Sequence, residues 1–98
     1  MKFNLNPDPD TLSSFLRQAG YAPEGQDPRT GELRFTRSLT GRRYPRFHLY
    51  CHEETNSCNL HLDQKQPSYQ GNSAHSGEYE GTLVELEAER IVSKQKTP

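Results

Sequence analysis

The chain is short of the residues that build a thick core. It has no Trp, one Met, one Ile and two Val among 98 residues. Leu, Ile, Val and Phe together number 17, below the level of about 20% under which a chain can fail to fold when it also carries a large net charge. Here the net charge is only −1, so a folded domain with a lean core is expected. No run of apolar residues approaches the roughly 18 needed to cross a bilayer. The opening MKFNLNPDPD lacks the apolar stretch of a secretory leader, and the expected location is cytoplasmic. Two cysteines make neither a disulfide framework nor a zinc ribbon. A thin core also makes self-association attractive, because a second copy adds burial, and a homodimer is the expected partner.

What the chain does have is periodicity. Leu12, Phe15, Leu16 and Ala19 fall at i, i+3, i+4 and i+7 and predict a first helix, with Asp8 or Asp10 as cap and Gly20 as a left-handed stop. Residues 22–31 read as turn. Three alternating segments follow. ELRFTRSL sets Leu33, Phe35 and Leu39 on one face, with Arg37 interrupting the row. RFHLYCH sets Phe47, Leu49 and Cys51 against Arg46, His48, Tyr50 and His52. SCNLHLDQK sets Cys58, Leu60 and Leu62 against Asn59, His61, Asp63 and Lys65. Short links imply an antiparallel meander with one dry and one wet face. A four-residue link in the second hairpin pairs Cys51 with Cys58, His48 with His61 and Arg46 with Asp63. A six-residue link instead pairs His48 with Asp63; the shorter link is preferred.

Residues 66–81 predict a long polar loop holding Tyr69, His75 and Glu78. A second helix is expected from Thr82, capped by a Thr82–Glu85 box, with Val84, Ala88 and Ile91 as its stripe and Leu83 and Val92 beside it. Glu87 lies inside that apolar arc and needs a counter-charge. His61 or Lys65 meets it if the helix crosses the wet face; Arg90, at i+3, points further round. A salt bridge at the stripe's edge is the simpler reading. The expected architecture is therefore one α+β domain, residues 1–98, of order α-β-β-β-α: a three-stranded antiparallel meander with two flanking helices, and flexible ends at 1–7 and 93–98. The first helix is assigned to the dry face; the last either shares that layer or meets a second copy.

Chemistry concentrates on the wet face and the loop after it. His61, Asp63, Lys65, Tyr69, His75, Glu78 and Glu87 are the candidate ligand-binding residues. In a binding module, Lys65 and Arg46 hold anionic groups, His61 and His75 donate hydrogen bonds, and Tyr69 or Tyr79 stacks. Imidazoles beside carboxylates also suit a metal-assisted or acid–base hydrolase using His61, Asp63, His75 and Glu78. No ligand spacing such as H-E-x-x-H is present, so no metal is assigned and the cofactor stays unknown. Arg29, Arg34, Arg37, Arg42, Arg43 and Arg46 oppose only Glu32 within residues 29–46, a local charge of +5 from six arginines and one glutamate. With Tyr44 among them they suit nucleic acid as an alternative partner. Glu78, Glu80, Glu85, Glu87 and Glu89 are able to neutralise them instead.

NLHLDQKQPSY, followed by AHSGEYEG and VELEAERI, resembles a group of small uncharacterised proteins of candidate-phylum bacteria, over roughly residues 44–92. The resemblance implies a bacterial source and a short single domain. It carries no activity.

Overall fold

The computed structural model describes residues 1–6, 11–64 and 76–95, with the side chains of 76–80 left aside. Five strands and two helices run in the order β1 (Lys2–Asn4), α1 (Leu12–Gln18), β2 (Ala22–Gln26), β3 (Leu33–Ser38), β4 (Arg46–His52), β5 (Ser57–Asp63) and α2 (Ser76–Ser93). The strands form one antiparallel sheet in the order β1-β5-β4-β3-β2. The α+β class holds, and the expected three-strand meander is the centre of a wider sheet. The two added strands lie at opposite edges, joined by the segment that contains α1.

Both edge strands escaped the alternation test, β1 because its alternating stretch is so short and β2 because it has no apolar row. β1 is three residues long and was expected to be a flexible end; it is held to β5 through pairs such as Phe3 with Cys58. β2 reads Ala-Pro-Glu-Gly-Gln and is exposed throughout. A proline is tolerated at a sheet edge, where its missing N–H faces away from the ladder. Gly25, at φ +106°, takes up the register shift between Pro23 and Gly25. Such a strand is recruited by its neighbour β3 rather than declared by its own pattern.

The inner register follows the shorter-link expectation. Cys51 pairs with Cys58, His48 with His61 and Arg46 with Asp63. The link is closed by Asn56, whose N–H donates to the His52 carbonyl at 2.8 Å and whose φ is +57°.

Both helices pack on the same side of the sheet. Phe15, Leu16 and Ala19 from α1 and Val84, Ala88 and Ile91 from α2 share one buried cluster with Phe35, Phe47, Leu49, Cys51, Cys58 and Leu60. Leu5 and Tyr21 complete it. Leu39 and Val92 do not join: Leu39 falls beyond the end of β3, and both are exposed. The cap of α1 is Thr11, whose hydroxyl accepts from the Ser14 N–H at 3.1 Å. Asp8 and Asp10 lie outside the described residues. Gly20 does provide the left-handed stop, at φ +100°.

The second helix starts at Ser76, six residues before the expected Thr82, so the Thr82–Glu85 pair is helix interior rather than a capping box. Gly77 and Gly81 made the segment read as loop, yet Ser76, Glu78 and Glu80 are residue types that suit a helix start. The far end is clasped: Gln95 Oε1 accepts from the Asn6 N–H at 3.1 Å while its Nε2 donates to the Asn6 carbonyl at 3.0 Å. Gln95 and the chain start, both expected to be loose, hold each other.

Candidate functional site

Glu87 lies on the helix side of the sheet, 5% exposed. Three donors surround it. The Tyr21 hydroxyl donates to Oε2 at 2.6 Å. Arg90 donates through Nε to Oε1 and through Nη2 to Oε2, both at 2.9 Å. Arg37 reaches the carboxylate at 3.5 Å. Arg37 is the residue that broke the apolar row of β3; it pairs with Phe47 and so sits on the dry face. Two oddities of the sequence, an arginine in one apolar row and a glutamate in another, are partners.

Arg90 meets Glu87 after all, although the helical wheel turned it away, because a guanidinium is long enough to fold back over one turn. Its Nη2 also donates to the Ala19 carbonyl at 2.7 Å, satisfying an orphan acceptor at the end of α1. Burial alone would raise the Glu87 carboxyl. The hydrogen bonds from Arg90 and Tyr21 and the charge of Arg37 outweigh it and hold the group below the usual carboxylate range. Burial, then the Glu87 carboxylate, pushes the Tyr21 phenol up. This is a structural clasp between α1, α2 and β3. Glu87 therefore stands across the sheet from His61 and is not part of a common cleft with it.

The opposite face, which neither helix covers, carries the remaining candidates. Strand parity lines up His48, Tyr50, Asn59, His61 and Asp63 there. The His48 ring stacks on Tyr50 with centroids 4.4 Å apart, and Tyr50 meets His61 edge-on at 5.9 Å. Asp63 Oδ2 lies 3.1 Å from His48 Nδ1 and 3.4 Å from Arg46 Nε. With the carboxylate accepting from Nδ1–H, the lone pair of the His48 ring sits on Nε2. Burial, with the nearby N-terminal ammonium, lowers the His61 pKa, so His61 favours its neutral form.

These side chains border a depression of about 430 Å³ lined by Glu32, His48, Tyr50, Asn59, His61 and Asp63. A second, of about 410 Å³, continues across Tyr50 and Asn59 toward Lys2, Asn4 and His52. His52 Nε2 lies 3.2 Å from Glu32. Two buried polar atoms on this face, Arg34 Nε and His48 Nε2, have no hydrogen-bond partner among the described residues. Atoms of this kind are uncommon in folded proteins and point to a missing partner.

Of the seven expected ligand-binding residues, His61 and Asp63 are brought together. Lys65, Tyr69 and His75 lie outside the described residues. Glu78 is in α2 rather than a loop, and its side chain is outside the described set. Arg46 is not a free anion fork, since it is engaged with Asp63 and lies over the Tyr44 ring at 5.0 Å. His48, Tyr50, Asn59 and Glu32 were not among the seven. The parity of β4 puts His48 and Tyr50 on this face, and the register that pairs Leu33 with Cys51 brings Glu32 to His52.

Part of the arginine cluster stays together, since Arg43 and Arg46 share the Tyr44 ring. Arg37 turns to the helix side, Arg46 is held by Asp63, and Arg43 lies over Tyr44 at 5.7 Å. Among the described residues no group of three or more His, Cys, Asp or Glu side chains is arranged to hold a metal ion. No helix among them is long and apolar enough to cross a membrane. No protein-family model matches the chain, and neither the curated proteins nor the solved structures give a match.

Proposed function

We propose that the chain is a small binding module whose recognition surface is the helix-free side of the sheet, centred on His48, Tyr50, His61 and Asp63. The observation that carries this reading is a depression lined by His48, whose buried Nε2 has no partner among the described residues, with Arg34 Nε buried and without a partner among them on the same face. Arg34 Nε is a donor and His48 Nε2, in the tautomer Asp63 favours, is an acceptor. A ligand that offers both an acceptor and a donor satisfies the pair, and the Tyr50 ring gives it an aromatic wall.

The test is a two-dimensional amide NMR screen of the whole chain against a library of polar aromatic fragments. Hits are expected to shift residues 46–52 and 57–63, and His61→Ala is expected to abolish them while moving the melting temperature by less than about 2 °C, as for a surface change. Hits that map to the helices instead, or an His61→Ala protein that no longer folds, would contradict the reading.

Acid–base hydrolysis is the second reading, favoured by one feature: a carboxylate that orients an imidazole is how a general base is held. It is centred on His48 and Asp63 and predicts hydrolysis of an activated ester that His48→Ala abolishes. Self-association is proposed to use the outward side of α2, where Leu86 and Val92 are exposed. Sedimentation of Leu86→Lys against the native chain tests it.

A further inference from the structure

Cys51 and Cys58 face each other across the β4–β5 hairpin. The ladder on the far side of β5 fixes which kind of pair they form. The Leu60 N–H donates to the Met1 carbonyl at 2.8 Å, and the Leu5 N–H donates to the Asn56 carbonyl at 2.9 Å. The even-numbered residues of β5 therefore turn their backbone groups toward β1. Cys58, between them, does the same, so its pairing with Cys51 is the non-hydrogen-bonded kind. Cα atoms in such pairs lie about 4.5 Å apart, inside the roughly 4.4–6.8 Å span that a disulfide bridges without backbone movement. The two sulfurs touch, and both are free thiols within the core cluster.

We propose that Cys51 and Cys58 form a thiol–disulfide exchange site, which a small-molecule disulfide converts to a cross-strand bond with the hairpin left in place. The two thiols are not equivalent. Cys51 is fully buried on the central strand β4, while Cys58 is 3% exposed and lies on β5, next to the short edge strand β1. Contact with Cys58, together with burial, pushes the Cys51 thiol up, so Cys51 stays protonated in the resting protein. Cys58 loses its proton and attacks one sulfur of the incoming disulfide. That S–S bond breaks, one thiolate leaves and is protonated, and a mixed disulfide remains on Cys58. Cys51 then gives up its proton and attacks the Cys58 sulfur, expelling the second thiol. The sum is two protein thiols and one small disulfide going to one protein disulfide and two small thiols. The inference is independent of the ligand reading, since the thiols point into the helix-covered layer.

The reduced chain is incubated folded with oxidised glutathione, quenched in acid, then unfolded with iodoacetamide and weighed intact. The expected product is about 2 Da lighter than the reduced chain and takes up no alkyl group. Its melting temperature is raised on the order of 10 °C and returns with dithiothreitol. Cys51→Ala is expected to stop at a stable glutathione adduct, and Cys58→Ala to react far more slowly. Native protein that keeps two alkylatable thiols, or ends with glutathione on both, overturns the proposal. If Cys51→Ala does not fold, the native-chain arm decides alone.

Discussion

Glu87 is a charged side chain in a helix stripe that otherwise consists of Val84, Ala88 and Ile91, and three donors keep it there. The donors differ in what they lose. Glu87→Ala strands two guanidinium groups and a buried phenol together, and breaking a buried pair costs about 3–5 kcal/mol. In a chain of this length that lowers the melting temperature by roughly 15 °C or more. Tyr21→Phe removes one hydrogen bond to a charged group, about 1.5–3 kcal/mol. Arg37→Ala removes the longest and most exposed contact, about 1 kcal/mol or less. The order Glu87 > Tyr21 > Arg37, read by thermal denaturation, checks the assignment; Arg37 as the costliest of the three would contradict it.

The same carboxylate sets an acid limit. Its pKa is lower folded than unfolded, so its contribution is present above the ordinary carboxyl value of 4.5 and is lost as pH falls through the folded value. His61, lowered from 6.5, acts in the same direction and earlier: the unfolded chain takes up that proton first, so stability starts to fall as pH drops through 6.5. The stability gap between the native chain and Glu87→Gln is therefore expected to shrink from pH 6 to pH 3. A gap that widens on acidification would mean that Glu87 is protonated in the fold.

At the scale of elements, what could be read beforehand depended on whether an element buries its own face. The stripes of α1 and α2 and the alternation of β3, β4 and β5 lie in the letters because each of these elements covers core. β1 was missed because three residues are too few to declare a period, although Phe3 packs against the core, and β2 because it completes a ladder with every residue exposed. The start of α2 was misplaced because two glycines outweighed the acidic residues between them. Local devices at element ends give sharp tests. Thr11→Ala should cost about 1 kcal/mol, since α1 has only seven residues and relies on its cap. Asn56→Val forces a β-branched residue to φ +57° and should cost about 1–2 kcal/mol, whereas Asn56→Gly should be close to neutral, both measured by urea denaturation.

At the scale of the whole molecule, both helices lie under one side of a five-stranded sheet. Half of the site was legible because strand parity is absolute: given the register, His48, Tyr50, His61 and Asp63 had to share a face. Which face α2 covers was not legible, because Glu87 offered a partner on either side until Arg37 claimed it. The recognition surface exists only if the imidazole–tyrosine row is reachable from solvent while the cysteine–leucine row is not. Side-chain NMR with a neutral, soluble gadolinium chelate reads this directly. The His61 ring and the Asn59 amide should broaden strongly and Tyr50 less, with Leu49, Leu60 and Ile91 unaffected. Protection of His61 and Asn59 equal to that of Leu60 would show a sheet covered on both sides and remove the surface proposed for binding.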